Sequence, residues 1–160
     1  MYKHHEESIE NMIKHYREND EIRALFLIGS VATGTERPDS DIDGVAIVPH
    51  EVSERKKNGE GLEEVYFGKC TYEGGYFNIH YMTRENMVEI AQNGSEPMRN
   101  MFSCARTLFC DDPDLPELAA KIPVFQRNEA EKKQFKFYCT FRMFYNYFWK
   151  VCKPENNIRQ

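Results

Sequence analysis

The chain has no apolar run approaching the roughly 20 residues needed to cross a bilayer. Its opening residues, MYKHHEESIE, hold no apolar core of the signal-peptide kind, so no cleaved leader is expected. An excess of positive charge is also missing. Lys and Arg number 21 against 26 Asp and Glu, a net charge of -5. That balance argues against a general nucleic-acid binder, which would normally show a basic face, but leaves room for a small basic pocket that takes a nucleotide. The five cysteines (Cys70, Cys104, Cys110, Cys139 and Cys152) are odd in number and scattered. They read as free thiols of a reducing cytoplasm rather than a disulfide framework. Internal repeats and low-complexity tracts are absent as well. What remains is a chain of 160 residues, 41% hydrophobic and 13% aromatic, enough for one domain with a genuine core, or for one domain with a helical extension.

Periodicity divides the chain into alternating elements. Ile9, Met12, Ile13 and Tyr16 recur at helical spacing and predict a helix over residues 5–18. The short apolar run from Arg23 to Ile28 predicts a buried strand, and Gly29–Gly34 opens a short helix that Pro38 and Asp39 would stop. A strand continues from Asp41 through Val48 and, apolar on both faces beyond its aspartates, belongs in the middle of a sheet. Residues 50–63, polar and charged, read as a mobile loop or a frayed helix. Two strands are expected at Tyr66–Tyr72 and Gly75–Thr83, joined by a turn at Glu73-Gly74-Gly75. Thr83–Asn86 looks like a helix start, Thr107–Cys110 a strand and Leu115–Ile122 a short helix. Residues 128–152 carry the longest helical pattern, with Phe135, Tyr138, Phe141, Phe144 or Tyr145, and Phe148 on a face widened by Phe137, Met143, Tyr147 and Trp149. So broad an apolar face belongs to a helix buried on several sides or set at an interface. This order of elements predicts an α/β or α+β sheet protein.

The most informative stretch is FLIGSVATGTERPDSDIDGVAIV, residues 26–48. Alternate residues of a strand point to one side, so Asp41 and Asp43 would hold two carboxylates together where a buried strand begins. Two like charges placed that close are costly unless a cation lies between them. Hard oxygen ligands of this kind suit Mg²⁺, which is typically held by one or two carboxylates and the phosphates of a substrate.

The pattern Leu27-Ile28-Gly29-Ser30 followed by Ser40-Asp41-Ile42-Asp43 resembles the polymerase-beta-like nucleotidyltransferase superfamily. Its wording is most similar to antibiotic nucleotidyltransferases and to the minimal nucleotidyltransferases that pair with HEPN-domain proteins. The segment Cys104–Leu118 is also similar to the strand-turn-helix of the antibiotic enzymes. The resemblance implies a nucleotidyltransferase fold, a mixed β-sheet with flanking helices. Residues 1–122 would form that domain, and residues 123–160 a helical extension packed on it or at a homodimer interface. It implies Mg²⁺, with two ions when nucleotide is bound, and ATP or another NTP as co-substrate. Asp41 and Asp43 would be the catalytic and metal-binding carboxylates, and Gly29, Ser30, Thr33, Arg37 and Ser40 would bind the nucleotide phosphates. The acceptor would be a small hydroxylated molecule or a protein, possibilities that include a HEPN-type partner.

Two departures from the family pattern stand out. A third family carboxylate belongs on a later strand, and Asn78 occupies the best-fitting position, a neutral and weaker metal ligand. Many relatives also carry a basic residue where this chain has Thr33, and Arg37 is the nearest substitute. Asn78 therefore motivates an alternative, a nucleotidyltransferase-fold module that binds nucleotide or a partner without turnover. Glu73 and His80 are candidate pocket-lining residues. His4 and His5 have no Cys or carboxylate pattern of a zinc site around them, and the Arg55–Lys57 run reads as solvated surface. Cys104 and Cys110 are expected to be buried or half-buried thiols.

Overall fold

A computed structural model describes residues 1–151. Helix α1 (Lys3–Arg17) buries Ile9, Met12 and Tyr16 along one stripe. Strand β1 (Ala24–Leu27), fully buried, leads into the one-turn helix α2 (Gly29–Thr33). Strand β2 (Ile42–Ile47) follows, then helix α3 (His50–Asn58), strand β3 (Glu63–Phe67) and strand β4 (Tyr76–Met82). Helices α4 (Arg84–Asn93) and α5 (Glu96–Asn100), strand β5 (Arg106–Cys110) and helix α6 (Asp114–Lys121) complete a first compact unit, Met1–Val124. A second unit begins at Phe125 and contains helix α7 (Ala130–Val151).

The five strands form one sheet in the order β3-β4-β2-β1-β5. β2 runs parallel to β4 and every other neighbouring pair is antiparallel, so the sheet is mixed. Burial follows the alternation of strand side chains. One face packs Leu25, Leu27, Ile42, Ala46, Phe77 and Ile79 against α1, Val31 and Val52. The other packs Ala24, Phe26, Val45, Ile47 and Met82 against Met87 and Ile90 of α4 and Leu115 and Ala119 of α6. α4 starts where expected. Thr83 Oγ1 accepts from the Asn86 amide at 3.1 Å while the Asn86 side chain accepts from the Thr83 amide at 2.9 Å, a reciprocal cap.

Three expectations need correction. Residues 50–58 are a defined helix, because Val52 is buried against the sheet and fixes one side of an otherwise charged segment. The first of the two later strands is Glu63–Phe67 rather than Tyr66–Tyr72. Its alternation begins at Glu63, and Gly68, with φ 78°, turns the chain out of the extended region. Cys104 is exposed, not buried, while Cys70 and Cys110 are half-buried; Cys152 lies outside the described residues. Along α7, rings four residues apart stack, Phe141 on Tyr145, Phe144 on Phe148 and Tyr145 on Trp149, with centroids 6.0, 5.7 and 5.6 Å apart. In the single chain these rings are exposed.

Candidate active site

β1 and β2 are antiparallel neighbours, and their pairing runs past the end of β1, with the Ile28 amide donating to the Asp43 carbonyl at 3.0 Å. The chain then turns at Gly29, whose φ of 72° lies in the left-handed region. A Cβ at this position would overlap the Asp43 carboxylate. Glycine is thus required twice, for its backbone angle and for the close approach of the acidic side chain. Ser30 follows, half-exposed at the start of α2.

Asp43 is half-buried. Burial pushes its carboxyl above the ordinary aspartate value, and the neighbouring Asp41 charge adds to the rise. The Asn78 amide and His80 oppose it, while Glu63 adds to it. Asn78 stands in register with Asp43 across the parallel seam, and its Nδ2 donates to Asp43 Oδ1 at 3.2 Å. The Asn78 Oδ1 is buried without a partner. Tyr76, on the same face of β4, has its phenol pushed up by the Asp41 carboxylate, as a hydrogen-bond partner and as a charge. The residues present fit a hard divalent cation. Two carboxylates repel one another, and an amide oxygen beside them has no donor to satisfy it. Among the described residues no three of His, Cys, Asp and Glu converge to hold a metal ion. A third oxygen beside Asp41 and Asp43 would be the Asn78 amide oxygen.

A family model described as Polymerase beta, Nucleotidyltransferase matches residues 10–114. The chain belongs to this nucleotidyltransferase family. No curated protein matches the sequence. Among similar solved structures is a toxin–antitoxin crystal structure with AMP-PNP, 15% identical, covering 82% of this chain and 98% of that one, with a TM-score of 0.45. A nucleotidyltransferase-like protein from Exiguobacterium sibiricum is 10% identical and covers 94% of this chain and 49% of that one, with a TM-score of 0.49. The tri-AMPylated Shewanella oneidensis HEPN toxin in complex with MNT antitoxin is 12% identical, covers 83% and 96%, and has a TM-score of 0.42.

Within this nucleotidyltransferase domain, the loop that delivers Asp41 is tied down from behind. The Tyr72 hydroxyl donates to the Ser40 carbonyl, and the Ser40 hydroxyl accepts from the Arg37 amide at 2.9 Å. His4 Nε2 meets the Pro38 carbonyl at 2.9 Å, and the N-terminal ammonium pairs with Glu36 at 3.3 Å. The rings of His4 and His5 pack on Tyr72, with centroids 4.6 and 5.0 Å away. Burial lowers the pKa of the His5 imidazole, and His4 beside it adds to the fall.

The structure thus brings Gly29, Asp43 and Asn78 together, with Asp41 and His80 close enough to shift Asp43. Ser30 stays in the Gly29 turn, Ser40 lies in the loop before Asp41, and the other candidates are engaged elsewhere. The Thr33 hydroxyl donates back to the Ser30 carbonyl at 2.9 Å, and exposed Arg37 pairs with Asp39 at 3.3 Å. Glu73 is exposed in the turn before β4. Sequence reasoning missed Tyr72 and the histidines that brace the loop, and Glu63. The one signal for Glu63 was its place in the alternation with Val65 and Phe67.

Proposed function

We propose that the chain is a cytoplasmic, Mg²⁺-dependent nucleotidyltransferase that moves an NMP group, AMP from ATP, to a hydroxyl of a small molecule or a protein. The observation that carries this reading is the contact of Asp43 with the Gly29 turn on one side and Asn78 on the other. We assign the chemistry to residues 1–122 and treat residues 123–160 as a helical extension. Asp41, Asp43 and the Asn78 oxygen would hold the cation. The Gly29-Ser30 turn would offer backbone N–H groups and a hydroxyl to the triphosphate. When bound, Mg²⁺ neutralises phosphate charge and stabilises the attacking and leaving oxygens of an in-line displacement. The protein's own part is alignment. The acceptor hydroxyl gives up its proton to solvent as its oxygen bonds to the α-phosphorus, the bond from that phosphorus to the bridging β-phosphate oxygen breaks, and pyrophosphate leaves with that oxygen.

The neutral Asn78 favours a second reading, a weakened module that binds nucleotide or a HEPN-type partner without turnover. Pyrophosphate release from Mg²⁺ and ATP with a panel of acceptors separates the two. Release that disappears in Asp41→Asn supports the transferase, and tight Mg²⁺-ATP binding without release supports the module. Equal release by the variant overturns the assignment of Asp41.

A further inference from the structure

We propose that the buried His5 imidazole is a proton-operated latch on the loop that carries Asp41: neutral, it keeps residues 36–41 fastened to the start of α1, and protonated, it lets them go. Such a latch acts on where Asp41 stands and does not depend on which group the site transfers.

His5 is fully buried in a cage of rings. The His4, Tyr72 and Tyr2 centroids lie 4.4, 5.0 and 5.6 Å from its own. Inside this cage neither nitrogen of the His5 ring has a hydrogen-bond partner. A neutral imidazole has one N–H to satisfy, whereas an imidazolium has two and a full charge. The acceptors nearby are already engaged. The Ser40 carbonyl takes the Tyr72 hydroxyl, and Glu36 Oε1 takes the N-terminal ammonium at 3.3 Å. Glu36 Oε2 is left buried without a partner. The closed cluster therefore accommodates an uncharged ring and leaves a charged one unsatisfied, a costly state in the interior.

The neighbouring histidine makes the contrast. His4 Nε2 meets the Pro38 carbonyl at 2.9 Å, a contact its ring can donate to whether neutral or charged. The groups that face His5 come from three segments: His4, Tyr2 and the terminal ammonium from its own end of the chain, Glu36 and the Ser40 carbonyl from the loop, and Tyr72 from the turn before β4. Burial lowers the His5 pKa from its ordinary 6.5, and His4 and the ammonium add to the fall, against the Ser40 backbone and Glu36. Burial pushes the Tyr72 phenol up, and bonding to its own backbone holds the Glu36 carboxyl down, so neither changes charge while His5 titrates. Between the lowered His5 value and 6.5 the open state binds more protons than the closed one. Closure is thus complete above 6.5 and weakens as pH falls through that window. The same rings position Tyr72 on Ser40 and His4 on Pro38, so opening the cage frees the residues just ahead of Asp41.

The test follows the ¹⁵N-labelled full chain by NMR from about pH 7.5 to about pH 5, the range of histidine titration. The His5 ring nitrogens should titrate with a midpoint below 6.5, and the amide resonances of residues 36–41 and of Tyr72 should move with that same midpoint. His5→Phe keeps a ring in the cage and removes both unpartnered nitrogens. It should fold at least as stably as the wild type and leave those amides still across the range. Glu36→Gln removes the carboxylate that favours the charged ring and should carry the midpoint lower. Amides of 36–41 that stay fixed while His5 titrates, or that move equally in His5→Phe, overturn the proposal, as does a His5 midpoint at or above 6.5. Should His5→Phe not fold, Glu36→Gln decides, and a midpoint that stays or rises in that variant overturns the latch. With Mg²⁺ and ATP, pyrophosphate release by the wild type relative to His5→Phe should fall severalfold over the same range. Absence of release from both chains removes the transferase reading and leaves the latch to be judged by the resonances.

Discussion

The side-chain amide of Asn78 donates to Oδ1 of Asp43 at 3.2 Å, across a parallel strand pair in which the two residues stand in register. The contact holds Asp43 in place while leaving Oδ1 of the Asn78 amide buried without a donor. Asn78→Asp exchanges that donor for a further negative charge. Without metal, the repulsion should lower the thermal midpoint at pH 7.5. With Mg²⁺, the added charge should enlarge the stabilisation and lower the half-saturating Mg²⁺ concentration roughly tenfold. Scanning calorimetry across a Mg²⁺ titration measures both. A midpoint unchanged in either condition would show that no cation sits beside residue 78.

Asp43 itself weakens the metal-free fold. Burial, with Asp41 adding to it, holds its carboxyl above the ordinary value of 3.8. Between that value and the raised one the native state binds more protons than the unfolded state, so stability falls as pH rises through this window. Above it the cost is fully present, and below pH 3.8 it is gone. Asp43→Asn should therefore be more stable than the wild type in urea denaturation at pH 7, with an advantage that shrinks as the pH approaches 4. The same variant should lose its Mg²⁺-dependent stabilisation and its transfer activity. A variant less stable than the wild type at pH 7 would contradict this account of the carboxylate pair.

The loop ahead of Asp41 supplies a separate lever. Tyr72→Phe keeps the ring that packs on His4 and His5 but removes the hydroxyl that donates to the Ser40 carbonyl. The loss of one hydrogen bond should cost about 1 kcal/mol in stability. Because Ser40 precedes Asp41, the larger effect should fall on Mg²⁺-nucleotide binding, with KM for ATP raised severalfold. Steady-state kinetics beside a urea titration separates the two. Lost stability with unchanged KM would make Tyr72 a packing residue only.

What could be read from the sequence followed the range of the interactions. The Asp41/Asp43 pair, the buried β1 and β2 runs and the α4 start rest on periods of two residues and on one capping turn, all local. The charged segment at 50–63 hid both α3 and the start of β3. Helix α3 offers Val52 as its buried apolar anchor, and Glu63 begins a strand whose partner lies beyond a turn. The brace behind Asp41 left no periodic trace. Tyr72 reaches Ser40 across 32 residues and Thr71 reaches the His4 carbonyl across 67, pairings that only the folded chain creates. The family pattern, fitted to the alternation of β4, makes Asn78 the candidate third ligand, but its bond to Asp43 needed the parallel register of β2 and β4.

Gly29 joins stability to chemistry most directly. Alanine there would hold a side chain at φ 72°, which costs roughly 1–2 kcal/mol in the left-handed region. Its Cβ would also overlap the Asp43 carboxylate, so either that side chain or the turn must move. Moving Asp43 relieves the overlap at the expense of the proposed cation site, and moving the turn displaces the backbone N–H groups that would face the phosphates. Gly29→Ala should therefore lower the unfolding free energy by more than the backbone cost alone and reduce transfer at least a hundredfold. The double variant Gly29→Ala with Asp43→Gly removes the overlapping carboxylate while leaving the strained angle. It should recover part of the lost stability and none of the transfer. No recovery in the double variant would mean that the backbone angle, rather than the contact with Asp43, sets the requirement for glycine.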